Sequence, residues 1–279
     1  MKFSLVMATL GRRDEVRRLF DSLVAQTYRD FELIVIDQND DDRVSSLVAE
    51  YACRFEIVYL RSEKGLSRAR NVGLDHVSGD VVCFPDDDCW YRPGTLEYVA
   101  VRFTADPSLD GVTGRSVDAG GRPSQGRWSS EAHRVDRYNV WTSATSYTIF
   151  LRTGAARRAG RFDEQLGVGS GSRWGAGEEV NYLLGVLDAG LRVDYDPALR
   201  VVHPEPLLQM DTRAFSRARL YNRGFGRVLG LNRYPAHFVL YMVARPVAGC
   251  VLQLLRLNFR RARYYWIAAS QRLLGWADG

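Results

Sequence analysis

Val81-Val82-Cys83-Phe84-Pro85-Asp86-Asp87-Asp88 passes from an apolar run straight into three carboxylates, and the turn residues Tyr91-Arg92-Pro93-Gly94 follow. A short β-rich run that ends on acids reads as a strand tip. Extended backbone projects Asp86 and Asp88 to one side, about 7 Å apart over two residues, and their mutual repulsion calls for a positive partner. A hard divalent cation, Mg2+ or Mn2+, answers that need, because it favours carboxylate oxygen and keeps positions free for substrate phosphates.

Working outward, strands are predicted at 3–8, 31–36, 55–60 and 81–84, with amphipathic helices at 13–25, 44–52 and 66–77 between them. This alternation predicts an α/β fold with an open, mostly parallel Rossmann-like sheet, which binds ligands beyond the carboxyl ends of its strands. The polar clusters fall there: Thr9 to Arg12, Asp37 to Asp42, Arg61 to Lys64, and Asp86 to Asp88. Beyond them a helix is expected at 95–103, a strand near 111–113, a surface loop at 118–128, a strand at 146–151 and a helix at 155–159. Residues 167–177 hold five glycines, which predicts a mobile lid. The lid ends at Glu178-Glu179, where a helix with Val180, Leu183, Leu184 and Leu187 on one face begins and runs to a Gly190 cap. Two short strands, 191–195 and 200–202, precede His203.

The 279 residues are 46% hydrophobic and 25% charged, a globular composition that excludes disorder as the theme. Residues 211–279 carry twelve arginines, no lysine and only Asp211 and Asp278, a net +10 that leaves −5 for residues 1–210 of the total +5. The acidic part suits a metal site and the basic part an anionic surface such as phospholipid headgroups. Nucleic acid is not expected as a partner, since no binding motif accompanies the charge. Residues 236–257 are apolar enough to suggest a membrane span, but Arg245-Pro246 falls at their middle. Helices lying in a membrane interface are the expectation instead, with a dimer contact or simple packing on the catalytic core as the alternative. Cys53, Cys83, Cys89 and Cys250 show neither zinc nor disulfide spacing, and the N-terminal run is too short for a leader or span, so the predicted location is the cytoplasm and the cytoplasmic membrane face.

Five motifs in order bear a resemblance to the family 2 glycosyltransferases of GT-A fold: Thr9-Leu10-Gly11-Arg12; Ala25-Gln26-Thr27-Tyr28 with Phe31 to Asp37; Gly65-Leu66-Ser67-Arg68-Ala69-Arg70-Asn71-Val72-Gly73-Leu74; Phe84 to Asp88; and Gly177-Glu178-Glu179. The likeness covers about residues 1–205. It implies a nucleotide-sugar donor, a divalent metal and inversion at the anomeric carbon. By position, Ala8, Thr9, Asp37 and Gln38 would hold base and ribose, Arg68 the phosphates, and Asp87 the ribose and sugar. Arg12 and Trp174 join the donor-binding set. Asp86 and Asp88 would bind the metal, with His203 as a further ligand, and Glu179 takes the place of the catalytic base, usually Asp. Gln38 stands where the family often has an acid, and its amide can both donate and accept; UDP and dTDP donors are placed ahead of GDP.

The expected organisation is a GT-A catalytic domain at 1–210, divided into a donor half (1–115) and an acceptor half (116–210), followed by basic, aromatic-rich helices at 211–279 that meet a membrane surface. The expected reaction moves one sugar to a glycolipid or oligosaccharide acceptor, with a homo-oligomer as a further expectation. A nucleotide-sugar-binding protein without turnover and a sugar-phosphate nucleotidyltransferase are the alternatives.

Overall fold

The computed structural model describes residues 1–205 and 210–279, so the last residues of the expected acceptor half, 206–209, lie outside the described residues. The chain packs as two compact units. One comprises Met1–Lys64, Arg68–Phe162 and Tyr182–Glu205, and the other comprises Gly65–Ser67, Asp163–Asn181 and the C-terminal helices.

The first unit is built on one sheet, nine-stranded among the described residues. β1 (Phe3–Thr9) lies between β2 (Phe31–Asp37) and β4 (Val81–Cys83), and β3 (Glu56–Arg61) continues beyond β2, all parallel. Every residue of β1 and β2 is buried, which accounts for their near-continuous apolar sequences. Successive side chains alternate between the two faces of the sheet. Leu5 and Met7 join Val16, Leu19, Phe20 and Leu23 of α1 (Asp14–Val24) in the main core, to which α2 (Arg43–Tyr51) contributes Val44 and Leu47. Val6 and Ile36 meet α3 (Leu66–Leu74) at Gly73, where any Cβ would collide with the Val6 side chain. The glycine therefore lets α3 lie directly on the sheet.

Past β4 the sheet becomes mixed. β5 (Trp90–Tyr91) leads into α4 (Thr95–Ala105) and β6 (Gly111–Val117), β7 (His133–Arg134) follows the loop, and β8 (Ile149–Arg152) runs antiparallel to both β4 and β6. α5 (Thr153–Ala159) and α6 (Glu178–Asp188) precede β9 (Val193–Val202), which is parallel to β6 and antiparallel to β5 and β7. The two strands expected at 191–195 and 200–202 are this single strand. Its pairing with β6 shifts register between Thr113 and Arg115, opposite the segment that holds Pro197, and Gly114 leaves room there for the Leu199 carbonyl. The strand expected from residue 146 begins only at Ile149, because Ser146–Thr148 form a short 3-10 turn closed by a Thr145–Thr148 capping box.

In the second unit the glycine-rich segment, expected as a mobile lid, is a hydrogen-bonded loop. Gly167 N–H donates to the Trp174 carbonyl at 3.0 Å and Trp174 N–H to Ser172 Oγ at 2.9 Å, while Gly167, Gly169, Gly171 and Gly177 take left-handed conformations. The remainder is α7 (Thr212–Leu231), α8 (Ala236–Leu255) and α9 (Phe259–Ala277). α7 and α9 approach backbone to backbone: a Cβ on Gly226 would strike the Arg272 carbonyl, and one on Gly275 the Arg223 carbonyl.

α8 runs unbroken through Pro246, which the sequence places as a ladder break. Proline lacks the N–H that would bond the Met242 carbonyl four residues back. Arg272 of α9 supplies the missing donor, its Nη1 lying 2.7 Å from that oxygen while its Nε donates to Asn222 Oδ1 of α7 at 2.9 Å. Burial lowers the Arg272 pKa to about 10, with Arg245 adding to the effect. Arg272, read from sequence as an interfacial cation, is thus an internal fastener of three helices. Arg272→Met leaves two buried acceptors without donors, and is expected to lower stability by about 2–4 kcal/mol, measured as a fall in the urea midpoint at constant m-value.

Candidate active site

The three acids do not extend β4. They occupy the turn that joins β4 to β5, closed by Cys89 N–H on the Asp86 carbonyl at 3.2 Å. Turn geometry, rather than strand alternation, brings Asp86 and Asp88 to one place, at the carboxyl ends of β1 and β4.

Each acid meets a basic side chain, and Arg12 serves two of them. Asp86 Oδ1 accepts from Arg70 Nη2 at 3.0 Å and from Ser146 Oγ at 2.9 Å. Arg70 is 1% exposed and its guanidinium lies over the Phe162 ring at 5.4 Å. Asp87 accepts from Thr9 Oγ1 at 2.8 Å and pairs with Arg12. Burial pushes Asp87 up to about 6, against the pull of Arg12 and Thr9. Asp88 pairs with Arg12 Nη2 at 2.7 Å and with His203 Nε2 at 3.0 Å. Burial disfavours the Asp88 charge, yet the bond from His203 and the charges of His203 and Arg12 hold its carboxyl below the usual range.

His203 closes the end of β9 with a fixed orientation. Its Nδ1 donates to the Pro204 carbonyl at 2.7 Å, which leaves Nε2 facing Asp88. Tyr147 stacks on the ring at 4.9 Å and is itself tied to Ser116 Oγ at 2.9 Å. Burial presses the imidazole toward neutrality, but Asp88 outweighs it and raises the pKa.

One donor atom from each of Asp86, Asp88 and His203 lies within 4.8 Å of the other two. Two carboxylates and an imidazole whose second nitrogen is already engaged suit Mn2+, or Mg2+ completed by water. The residues expected from sequence as metal ligands are therefore together, and they fit the ion.

The rest of the expected donor set divides. Ala8, Thr9, Asp37 and Gln38 cluster at the ends of β1 and β2, where Gln38 N–H donates to the Thr9 carbonyl at 3.0 Å. Asp37 is 1% exposed and accepts from Asn39 N–H at 2.9 Å, Asn39 Nδ2 at 2.7 Å and Tyr59 O–H at 2.7 Å. Arg68 pairs with Glu63 at the surface, and it is Arg70 that reaches the acids. Trp174, in the second unit, donates through Nε1 to Asp278 Oδ2 at 3.0 Å and carries the Arg227 guanidinium 4.5 Å from its ring. Glu179 stands in the first turn of α6, half-buried beside the buried Glu178 and two residues after the left-handed Gly177.

Sequence reasoning passed over Arg70, Asn71, Tyr59 and Ser146. The first two carried a signal, since Ser67, Arg70, Asn71 and Leu74 repeat at helical spacing and so mark one inward face of α3. Asn71 grips the Phe162 backbone from both sides, donating to its carbonyl at 3.0 Å and accepting from its N–H at 2.9 Å. It thereby holds the ring on which Arg70 rests.

The glycosyl transferase family 2 profile matches residues 4–164. A pre-mycofactocin glycosyltransferase of Mycobacterium tuberculosis is 28% identical over 212 residues, covering 72% of this chain and 42% of that protein. Several curated relatives are longer, and the aligned part spans 14% to 42% of their length. Among solved structures, residues 1–349 of Staphylococcus aureus TarS in complex with UDP-GlcNAc superpose with a TM-score of 0.62 at 17% identity, over 98% of this chain and 92% of that one. The mannosyltransferase PcManGT of Pyrobaculum calidifontis, in complex with GDP-Man and Mn2+, gives 0.66 at 17% identity, over 97% and 86%. At these identities the two structures establish the fold, GT-A-like with a mostly parallel sheet between helices.

Proposed function

We propose, starting from a chain that belongs to glycosyl transferase family 2, that this protein transfers one sugar with inversion from a nucleotide-sugar donor to a hydroxyl of a lipid-linked or polysaccharide acceptor. The observation that carries the reading is the meeting of Asp86, Asp88 and His203 at the carboxyl ends of parallel strands, beside the Thr9, Asp37 and Asp87 cluster. Ligands of open α/β sheets bind at that place. The fold-mates solved with UDP-GlcNAc and with GDP-Man and Mn2+ support a nucleotide-sugar donor.

In this reading Thr9, Asp37 and Gln38 hold the nucleoside and Asp87 the ribose and sugar. Gln38 has an amide that can both accept and donate, which is compatible with UDP or dTDP, the donors this reading places first, and does not exclude GDP. Asp86, Asp88 and His203 would hold Mn2+ or Mg2+, which supplies Lewis-acid neutralisation of the diphosphate charge. Glu179 takes the proton of the acceptor hydroxyl while that oxygen attacks the anomeric carbon from the face opposite the diphosphate. The new C–O bond forms as the bond to the diphosphate breaks. The start of α6 favours the ionised carboxylate that this role requires.

The test is release of nucleoside diphosphate from UDP-, dTDP- and GDP-sugars with Mn2+, Mg2+ or EDTA. Metal-dependent release from one donor class is expected. Tight donor binding with no release under any of these conditions would reduce the protein to a binding module, and pyrophosphate as product would make it a nucleotidyltransferase.

A further inference from the structure

We propose that the α8–α9 hairpin is a docking surface for an anionic phospholipid bilayer, independently of the transfer reaction. Val239, Met242, Val243 and Cys250 bury one side of α8. Leu240, Val247, Val251 and Leu255 form an exposed row at helical spacing on another. Only 28% of the most apolar stretch of this helix is buried, whereas a core helix of the same composition would be mostly covered. α9 carries its own outward row, Phe259, Trp266 and Leu273, seven residues apart.

The two rows converge on the turn between the helices. Leu255 and Leu257 there are 78% and 75% exposed, the highest among the exposed large apolar residues. Leu257 has φ +54, a left-handed conformation at a helix end where glycine or asparagine is the usual occupant. The turn thus holds a large apolar side chain outward at some conformational cost, at the proposed point of insertion. Arg256, Arg260, Arg261 and Arg263 stand exposed around it. The two acids of residues 211–279 are both engaged elsewhere, Asp211 capping α7 and Asp278 pairing with Arg223.

That charge pattern selects the occupant. A second copy meeting this face about a two-fold axis would set arginine against arginine with no acid to relieve it. An anionic leaflet offers hydrocarbon to the leucines and phosphates to the guanidiniums. Arg245, exposed at the middle of α8, keeps the helix in the interface rather than across the membrane.

The test is co-sedimentation of the full chain with phosphatidylcholine vesicles, with and without phosphatidylglycerol. Binding is expected only with phosphatidylglycerol and is expected to reverse in high salt. Leu255→Glu with Leu257→Glu should lower partitioning by roughly tenfold or more, and Arg260→Ser with Arg261→Ser by about thirtyfold at roughly 1 kcal/mol per arginine. Both pairs should keep the wild-type circular dichroism and melting temperature, because all four side chains are exposed. Unchanged partitioning of the leucine pair overturns the proposal. So does a vesicle-free dimer that the leucine pair dissociates, which would give the face to a second copy. Bound protein that resists alkaline carbonate would make α8 a span.

Discussion

Glu179→Gln is expected to lower kcat by about a thousandfold, inside the range of 10² to 10⁴ for a lost general base, while the donor Kd stays within a few-fold of wild type. Glutamine keeps the size and the hydrogen-bonding reach of the side chain and removes only its capacity to take a proton. A carboxylate at the first turn of α6 also has a simpler use, as a counter-charge to the helix N-terminus, worth about 0.3–1 kcal/mol. The two roles separate in one experiment. A purely structural Glu179 would show a small drop in melting temperature and unchanged turnover, whereas a base shows the reverse. The neighbouring Glu178 provides the control. It is 6% exposed and its carboxylate lies against Gly167, so Glu178→Gln should cost stability before it costs turnover.

The second large effect is expected from Asp88→Asn, with Mn2+ affinity falling at least about a hundredfold and kcat/KM by about a thousandfold, in line with several kcal/mol of lost charge stabilisation. Asp88 is the acid that both Arg12 and His203 contact, so its neutralisation removes a ligand and takes a counter-charge from both side chains, leaving Arg12 with Asp87 alone. Titration of Mn2+ followed by electron paramagnetic resonance, with no donor present, reads the first quantity without reference to turnover. Full retention of ion binding would take Asp88 out of the ligand set. His203 should respond in the same variant: with the carboxylate gone, the burial that already presses its imidazole toward neutrality prevails and its pKa falls, which histidine C–H resonances report.

Much of the first unit was legible because period and burial agree there. Apart from the buried, mutually hydrogen-bonded Ser4 and Glu32, Phe3 to Ala8, Phe31 to Ile36 and the α1 residues Val16, Leu19, Phe20 and Leu23 are apolar at the positions their elements bury. The acids were legible too, since three carboxylates after an apolar run have few structural uses. Less legible was what neutralises them. Arg70 lies sixteen residues before Asp86 in the chain and Ser146 sixty after it, and only the packing of α3 on the sheet and the 3-10 turn before β8 bring them together. Arg68 drew attention as the outward member of the same motif. The fate of Pro246 was invisible for a similar reason, because local rules foresee the lost hydrogen bond but not a donor on another helix.

That donor has a consequence for how α8 and α9 come apart. The Met242 carbonyl is denied its usual donor four residues on by Pro246 and accepts instead from Arg272, which also fastens Asn222 of α7. Opening α9 therefore strands an acceptor inside α8, and α8 cannot persist by itself at its former free energy. The helices should exchange their amide protons as one cooperative block, with matching opening free energies on both sides of the turn. Whatever surface grips the outward row of α8 would slow deuterium uptake along α9 as well, through a single guanidinium.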